Sequence, residues 1–307
     1  MRILVSIVNW NDSAATNKCL AGIAKISKDD QPDIVVTDNH STREDLVIDP
    51  ATRAGLKSLK IVNNKANLGF AGGHNPNIKY ALDKGYSYIV LLNNDTEIID
   101  KQIFDRLAEA LENDPQAIGA NPTILSSLDP NIIWYGGGGM SLVTGSDPHL
   151  RVGEIEKPDG KTQYTNSLTG GCMAIALTHA RIEHLLLSED YFLYWEDSDW
   201  SARAAQSNFK LLYVPGTHVL HQVSSGLGVR SPFYIYYNIR NHFLFIRRHV
   251  GWYFKPIAWC GVFIIAAKYK LNIFFRYRGG RWVALKALWA GLWDGMTGKT
   301  GQTRRIE

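Results

Sequence analysis

The chain has 307 residues, 45% of them hydrophobic and 20% charged, so it can bury the core of one large domain or of a domain with an appendix, and is not disordered. A mean hydropathy of −0.15 argues against a polytopic membrane protein. Three scattered cysteines, Cys19, Cys172 and Cys260, exclude a disulfide framework or a cysteine-based zinc module and suit a reducing cytoplasm. The net charge of +4 hides a division: residues 1–199 carry 17 basic and 27 acidic side chains, whereas the 94 residues from Trp200 to Trp293 carry 13 basic and no acidic one.

The opening Met1-Arg-Ile-Leu-Val-Ser-Ile-Val-Asn9 lacks the long apolar stretch and cleavage site of a signal peptide and reads as a buried strand. A helix over Ala14–Ile26 follows, then strands at Ile34–Thr37 and Leu59–Asn63, a helix over Pro76–Lys84 and a strand at Tyr88–Leu92. Ile103–Asn113 reads as a helix with Phe104, Leu107, Ala108 and Leu111 on one face. This alternation predicts an α/β fold with a mainly parallel sheet, whose ligands sit at the carboxyl ends of the strands. The four glycines Gly136–Gly139 read as a loop or hairpin, and Ser167–Ala176 as a turn entering a strand. The aromatic run Tyr191–Trp195 precedes the acidic cluster Glu196-Asp197-Ser198-Asp199, a helix over Trp200–Asn208 and a strand at Lys210–Val214. Pro256–Ala267 is an apolar run of twelve, as a helix only about 18 Å long and too short to span a bilayer. Trp282, Leu285, Trp289, Leu292 and Trp293 then recur at helical spacing beside Arg281 and Lys286.

Four clusters could carry chemistry. Asp38 follows a buried strand, where an acid can bond a nucleotide or cap a turn. Asn67-Leu-Gly-Phe-Ala-Gly-Gly-His-Asn75 is glycine-rich and leads to a helix, either a phosphate site or a tight turn; it is neither the dinucleotide fingerprint nor a Walker loop. Asn93-Asn94-Asp95 ends a buried strand, where a carboxylate can hold a divalent cation or cap the next element. Clustered carboxylates at 196–199 raise the proton affinity of one member, as a general base requires; they could also bind metal or simply cap the helix that starts near Trp200. His221 taken alone is more often structural than a ligand.

Taken in order, these segments resemble the inverting family 2 glycosyltransferases, which have the GT-A fold. The likeness runs from Ile3 to about Asn241 through Val-Ser-Ile-Val-Asn-Trp-Asn11, Val-Val-Thr-Asp-Asn-His-Ser41, the glycine-rich segment 67–75 and Leu-Leu-Asn-Asn-Asp95. It continues through Thr169-Gly-Gly-Cys-Met-Ala174, Tyr194-Trp-Glu-Asp-Ser-Asp-Trp-Ser-Ala-Arg203, His221 and Tyr236-Tyr-Asn-Ile-Arg-Asn241. Within the family it is most similar to bacterial rhamnosyltransferase-like enzymes of surface polysaccharide synthesis.

The resemblance implies a glycosyltransferase domain at 1–241 and a basic, aromatic helical segment at 242–307. It implies donor-binding roles for Asn9, Asp38, Asn67, Gly69, Asn93 and Asn94, with Asp38 on the pyrimidine base. Asp95 and His221 would hold Mg2+ or Mn2+, more weakly because Asn93 stands where many members have an acid. Asp197 matches the catalytic base. Gly170, Gly171, Glu196, Asp199, Arg203, Arg240 and Asn241 would touch the acceptor or the diphosphate, although the resemblance gives the Arg240–Asn241 pair no definite role. The implied partners are a nucleotide-sugar, with dTDP-L-rhamnose ahead of a UDP-hexose, and a glycan or polyprenyl-diphosphate-linked acceptor.

The acid-free block with its interleaved aromatics should meet something anionic. Its tryptophans lie on apolar helical faces, which favours the inner surface of the cytoplasmic membrane over nucleic acid and predicts a cytoplasmic, peripheral protein. An amphipathic helix packed on its own domain or on a partner subunit fits the same pattern. A nucleic-acid-binding or nucleotide-sugar-binding protein without catalysis is the alternative of another class. A nucleotidyltransferase would need a basic loop near the first strand, where Arg2 is the only early candidate.

Overall fold

The computed structural model describes residues 2–157, 160–222, 231–277 and 280–303. Strand β1 (Ile3–Asn9) is buried on both faces, as its mostly apolar run requires of a strand covered by helices, and its buried Ser6 hydroxyl is bonded to His74 and Asn77. Asp12 caps helix α1 (Ser13–Ile23) by accepting from the Ala15 N–H at 3.0 Å. β2 (Asp33–Asp38), α2 (Pro50–Gly55) and β3 (Leu59–Asn63) complete the first edge of the sheet. α3 (Gly69–Asp83) begins seven residues before the predicted Pro76 and carries that proline inside it. Its glycines are therefore the first turns of a helix and not a loop leading to one. They allow close packing: a Cβ at Gly73 would lie 2.8 Å from Val8 Cγ2.

β4 (Tyr88–Asn93) pairs parallel with β1, and a tight connection leads to the short β5 (Thr96–Ile98). α4 (Ile103–Glu112) buries Phe104, Leu107, Ala108 and Leu111, the face its periodicity predicts. β6 (Ala117–Ser126) and β7 (Asp129–Tyr135) were not legible as strands, because Asn121-Pro122-Thr123 interrupts the first with residues that read as a turn. After β8 (Gln163–Tyr164), β9 (Cys172–Ala176) and α5 (Ile182–Leu185) comes α6 (Glu196–Gln206), which starts at the acidic cluster and not at Trp200. β10 (Lys210–His221) outruns the predicted strand by seven residues.

The sheet has ten strands, with β3-β2-β1-β4-β9-β6-β10-β5 as its main path. β3, β2, β1 and β4 run parallel; β9 is antiparallel to both neighbours; β6 and β10 are parallel. β10 bulges between Val214 and His218, just where its partner is Pro122, which has no N–H to offer. One apolar core lies on each face of the sheet, around Ile7, Val36 and Leu107 on one side and Ala71, Ile89 and Trp200 on the other.

Three helices follow: α7 (Pro232–His249), α8 (Lys255–Arg276) and α9 (Arg281–Thr297). The expected division at 241/242 falls inside α7, which runs unbroken across it. α8 corrects the twelve-residue expectation. It continues through Lys268 and Lys270 for 22 residues, about 33 Å, and by length and composition it is long and apolar enough to cross a membrane. Ala258, Val262, Ala266 and Ile273 form its buried stripe, in one core with Ile239, Phe243 and Leu288. Its other face carries Ile257, Phe263, Ile264, Leu271, Phe274 and Phe275 in the open.

Candidate active site

The carboxyl ends of β1, β2 and β4 meet at one edge of the parallel half. Asn9 is fully buried, its Nδ2 donating to Asp38 Oδ1 at 2.8 Å and its Oδ1 accepting from Thr16 Oγ1 at 2.7 Å. Asn94 Nδ2 donates in turn to Thr16 Oγ1 at 3.2 Å, so one chain of hydrogen bonds ties three strand ends together. Asp38 also takes the Ser41 hydroxyl at 2.6 Å and the Ser41 N–H at 3.1 Å, which makes it a turn-builder as well as a half-buried wall of the cleft. Asn67 accepts from Asn39 Nδ2 at 3.0 Å and from the Gly69 N–H at 2.9 Å, shaping the loop before α3. Gly69 sits at φ +71° with no room for a side chain: a Cβ there would lie 2.0 Å from the Phe192 carbonyl oxygen.

The turn after β4 delivers Asp95, and strand register delivers its partner. β5 and β10 pair antiparallel with His221 opposite Thr96, and the Gln222 N–H donates to the Asp95 carbonyl at 3.0 Å. His221 Nε2 thereby lies 3.3 Å from Asp95 Oδ1, a buried oxygen with no hydrogen-bond partner among the described residues. Burial pushes the Asp95 carboxyl up, while the neighbouring His221 and the Asn93 side chain pull it down. A carboxylate oxygen and an imidazole nitrogen aimed at one another fit a divalent cation such as Mg2+ or Mn2+. Among the described residues no third His, Cys, Asp or Glu joins them, so a substrate or water would supply the remaining ligands.

Asp197 is the second residue of α6. Its Oδ2 accepts from the Gly170 N–H at 2.9 Å and its Oδ1 from the Ser198 N–H at 2.8 Å. The Phe70 ring packs close over this backbone: a Cβ at Gly170 would lie 2.7 Å from its Cζ. The next residue closes the gap to the other half: the Gly171 carbonyl accepts from the Asn93 N–H at 3.1 Å and from Thr96 Oγ1 at 3.2 Å, the two residues that flank Asn94-Asp95. Two adjacent glycines thus join Asp197 to the Asp95–His221 pair.

The clustered carboxylates differ sharply. Burial, reinforced by Asp197, pushes the Glu196 carboxyl well up, and its Oε2 has no partner. Asp199 is equally buried, but His249 at 2.8 Å and Arg203 at 2.9 Å overcome burial and hold it below the usual carboxylate value. Arg203 donates further to the Glu183 and Leu186 carbonyls, and Arg240 and Asn241 also turn their polar atoms onto backbone carbonyls. Asp199, Arg203, Arg240 and Asn241 are thus engaged within the chain.

Three residues of the site went unnoticed in the sequence. Trp134 stacks on His221 with ring centroids 4.6 Å apart, and His149 packs edge-on against Trp134 at 4.5 Å. Burial lowers the His149 imidazole and the nearby Asp197 charge opposes it, so His149 lies within electrostatic reach of both halves. Asp147 accepts from Ser167 Oγ and, at 2.7 Å, from Ser198 Oγ. The signal for all three was the four-glycine run, which folds back in a hairpin with Gly138 paired to His149.

Residues 4–136 match the family described as Glycosyl transferase family 2. The chain is similar to N-acetylglucosaminyl-diphospho-decaprenol L-rhamnosyltransferase of Mycobacterium tuberculosis, 24% identical over 251 residues that cover 74% of this chain and 78% of the relative. It is also similar to dTDP-rhamnosyl transferase RfbF of Shigella flexneri, 23% identical over 228 residues covering 70% and 71%. Among solved structures, GalNAc-T7 with UDP, GalNAc and Mn2+ superposes with a TM-score of 0.61 at 19% identity, covering 80% of this chain. This chain spans 48% of GalNAc-T7, and the likeness shows the GT-A fold.

Proposed function

The chain is a family 2 glycosyltransferase, rhamnosyltransferase-like in sequence, and from that premise we propose that it is an inverting, divalent-metal-dependent enzyme moving L-rhamnose from dTDP-L-rhamnose to a polyprenyl-diphosphate-linked or glycan acceptor. The observation that carries this reading is the bridge of Gly170 and Gly171 between Asp197 and the Asp95–His221 pair. The two halves of a displacement need that closeness: one group to accept a proton, another to receive a leaving anion.

Asp197 takes the acceptor hydroxyl proton as that oxygen attacks the anomeric carbon. The new C–O bond forms opposite the breaking bond to the nucleoside diphosphate, so the configuration inverts. Gly170 holds the Asp197 carboxylate for this task. Asp95 and His221 would hold a Mg2+ or Mn2+, which would supply Lewis-acid charge for the leaving diphosphate. Asp38 lines the pyrimidine side of the donor pocket, and the Asn67–Gly69 loop lies along the donor. Trp134 and His149 pack around His221 and hold its imidazole in place beside Asp95.

The exposed apolar faces of α8 and α9, flanked by Lys268, Lys270, Arg276, Arg281 and Lys286, support peripheral binding to the inner face of an anionic membrane, where a lipid-linked acceptor resides.

A panel of nucleotide-sugars, each with and without Mn2+, tests the donor. Turnover of dTDP-L-rhamnose above all others supports the reading; preference for a UDP-hexose replaces the sugar and keeps the mechanism. Asp197→Asn tests the base: it should keep nucleotide binding and lose about 10²–10⁴-fold in transfer. A fully active Asp197→Asn protein refutes the assignment.

A further inference from the structure

The backbone that leads into α6 is held in a conformation that non-glycine residues resist. Phe192, Tyr194 and Trp195 have φ of +62°, +66° and +75°, and Trp195 immediately precedes Glu196-Asp197. Left-handed backbone at three bulky residues within four positions persists only where the surroundings over-determine it. The over-determination comes from one side chain of α7. Asn241, fully buried, directs its Nδ2 at three carbonyls of this strap: Tyr191 at 2.9 Å, Leu193 at 2.8 Å and Tyr194 at 2.7 Å. Arg240 braces it, donating from Nε to Asn241 Oδ1 at 2.6 Å and from Nη2 to the Tyr191 carbonyl at 2.8 Å. Arg240 Nη1 also reaches the Gly301 carbonyl at 2.7 Å, beyond α9.

The strap is gripped from its other side by the donor loop. The Phe192 carbonyl accepts from the Phe70 N–H at 2.8 Å, against the glycine at position 69 that no larger residue could replace. This backbone bond does not involve Asn241, so the α3 end of the strap stays anchored when Asn241 is lost and the α6 end is the one set free.

We propose that Asn241 is a positioning residue for Asp197: it locks residues 191–195 in their left-handed path, so that α6 starts where the Asp197 carboxylate meets the Gly170 N–H. The proposal rests on reading Asp197 as the base. It replaces direct contact with the acceptor or diphosphate as the role of the Arg240–Asn241 pair.

The test uses the full-length protein with Asn241→Ala, Asn241→Asp and the double variant Asn241→Ala/Tyr194→Gly. The readouts are initial rates with the donor selected by the panel, calorimetry with UDP and dTDP in the presence of Mn2+, and amide hydrogen exchange. Loss of the clamp should lower kcat by about 10–100-fold with the donor KM and nucleotide affinity within about threefold, because geometry at the reacting centre is disturbed while binding is not. Exchange should quicken at 191–199 and stay slow in the rest of α7. Glycine takes positive φ without penalty, so Tyr194→Gly should restore part of the lost kcat. An unchanged kcat, a rise in acceptor KM at constant kcat, or no recovery in the double variant overturns the proposal. Should Asn241→Ala fail to fold, Asn241→Asp gives the same split, since its carboxylate repels the three carbonyls without opening a cavity. Asp197→Asn run alongside separates the two ideas: if it stays active the base assignment falls, whereas the exchange result still judges the clamp.

Discussion

Asp147 meets Ser167 and Ser198 with its two carboxylate oxygens, while burial, helped by Asp197, pushes its proton affinity up to about pH 6 against those hydrogen bonds. An unfolded chain releases that proton near the ordinary value of 3.8, so folding takes up a proton between the two and the contribution of Asp147 to stability falls as pH rises through that window. Asp147→Asn, with no proton to release, should gain stability relative to the parent from about pH 4 to about pH 6 and hold the difference above it. Melting temperatures of the two proteins across that range check this, and a difference that does not change with pH counts against it. Asp95→Ala leaves His221 alone at its end of the cleft and should weaken Mn2+-dependent nucleotide binding by about tenfold or more; calorimetry reads the loss, and unchanged affinity removes Asp95 from the metal site. Asp95, Asp197 and His221 could be picked out from the sequence because they stand in ordered motifs. Asp147 and His149 could not, since a loop between two sheet strands gives their residue types no periodic frame. Nor did the motif of Asp199 and Arg203 betray that both are turned inward, because only packing against α7 supplies His249 as a partner.

At the scale of elements, the glycines separate strain from collision. Gly85 and Gly69 share a left-handed φ, +69° and +71°, but nothing lies within 4 Å of a Cβ at Gly85. Gly85→Ala should therefore cost only the conformational penalty of about 1–2 kcal/mol. Gly69→Ala must in addition displace the Phe192 carbonyl, and should cost clearly more and slow transfer, as denaturant unfolding and initial rates would report. Equal losses in the two variants would mean that the contact with Phe192 yields easily. Periodicity marks α4 to within a residue because it is amphipathic, and composition marks β1 because five of its seven residues are apolar. β6 stayed hidden because buried polar residues occupy its centre: Asn121 donates to the Thr169 and Cys172 carbonyls, and Thr123 bonds the Tyr213 hydroxyl at 2.7 Å. Such pairings are satisfied only across the finished sheet and leave no pattern along the strand. α8 outruns the apolar run because Lys268, which interrupts that run, stands on the exposed face of the helix, where a charge does not end it.

Across the whole molecule, the acidic part of the chain builds most of the sheet, the basic part ends in three helices, and α7 touches both. It packs against α8 and α9 on one side and holds the strap before α6 on the other, so cutting the chain near Asn241 would destroy the site along with the helices. Membrane contact is better tested by surface changes. Trp282, Trp289 and Trp293 are 83%, 58% and 58% exposed along one stripe of α9. Replacing all three by serine should leave folding intact and sharply reduce co-flotation with anionic vesicles, with a smaller effect on zwitterionic ones. Equal flotation of parent and variant would argue that this face meets something else. The bulge in β10 has a wider reach than its three residues imply. It sits upstream of His221, so the number of residues between Val214 and His218 sets which side of the sheet that imidazole faces. Loss of a single residue there forces either a tighter bulge or a one-residue slip of the strand end, and the slip would turn the ring to the far side, away from Asp95.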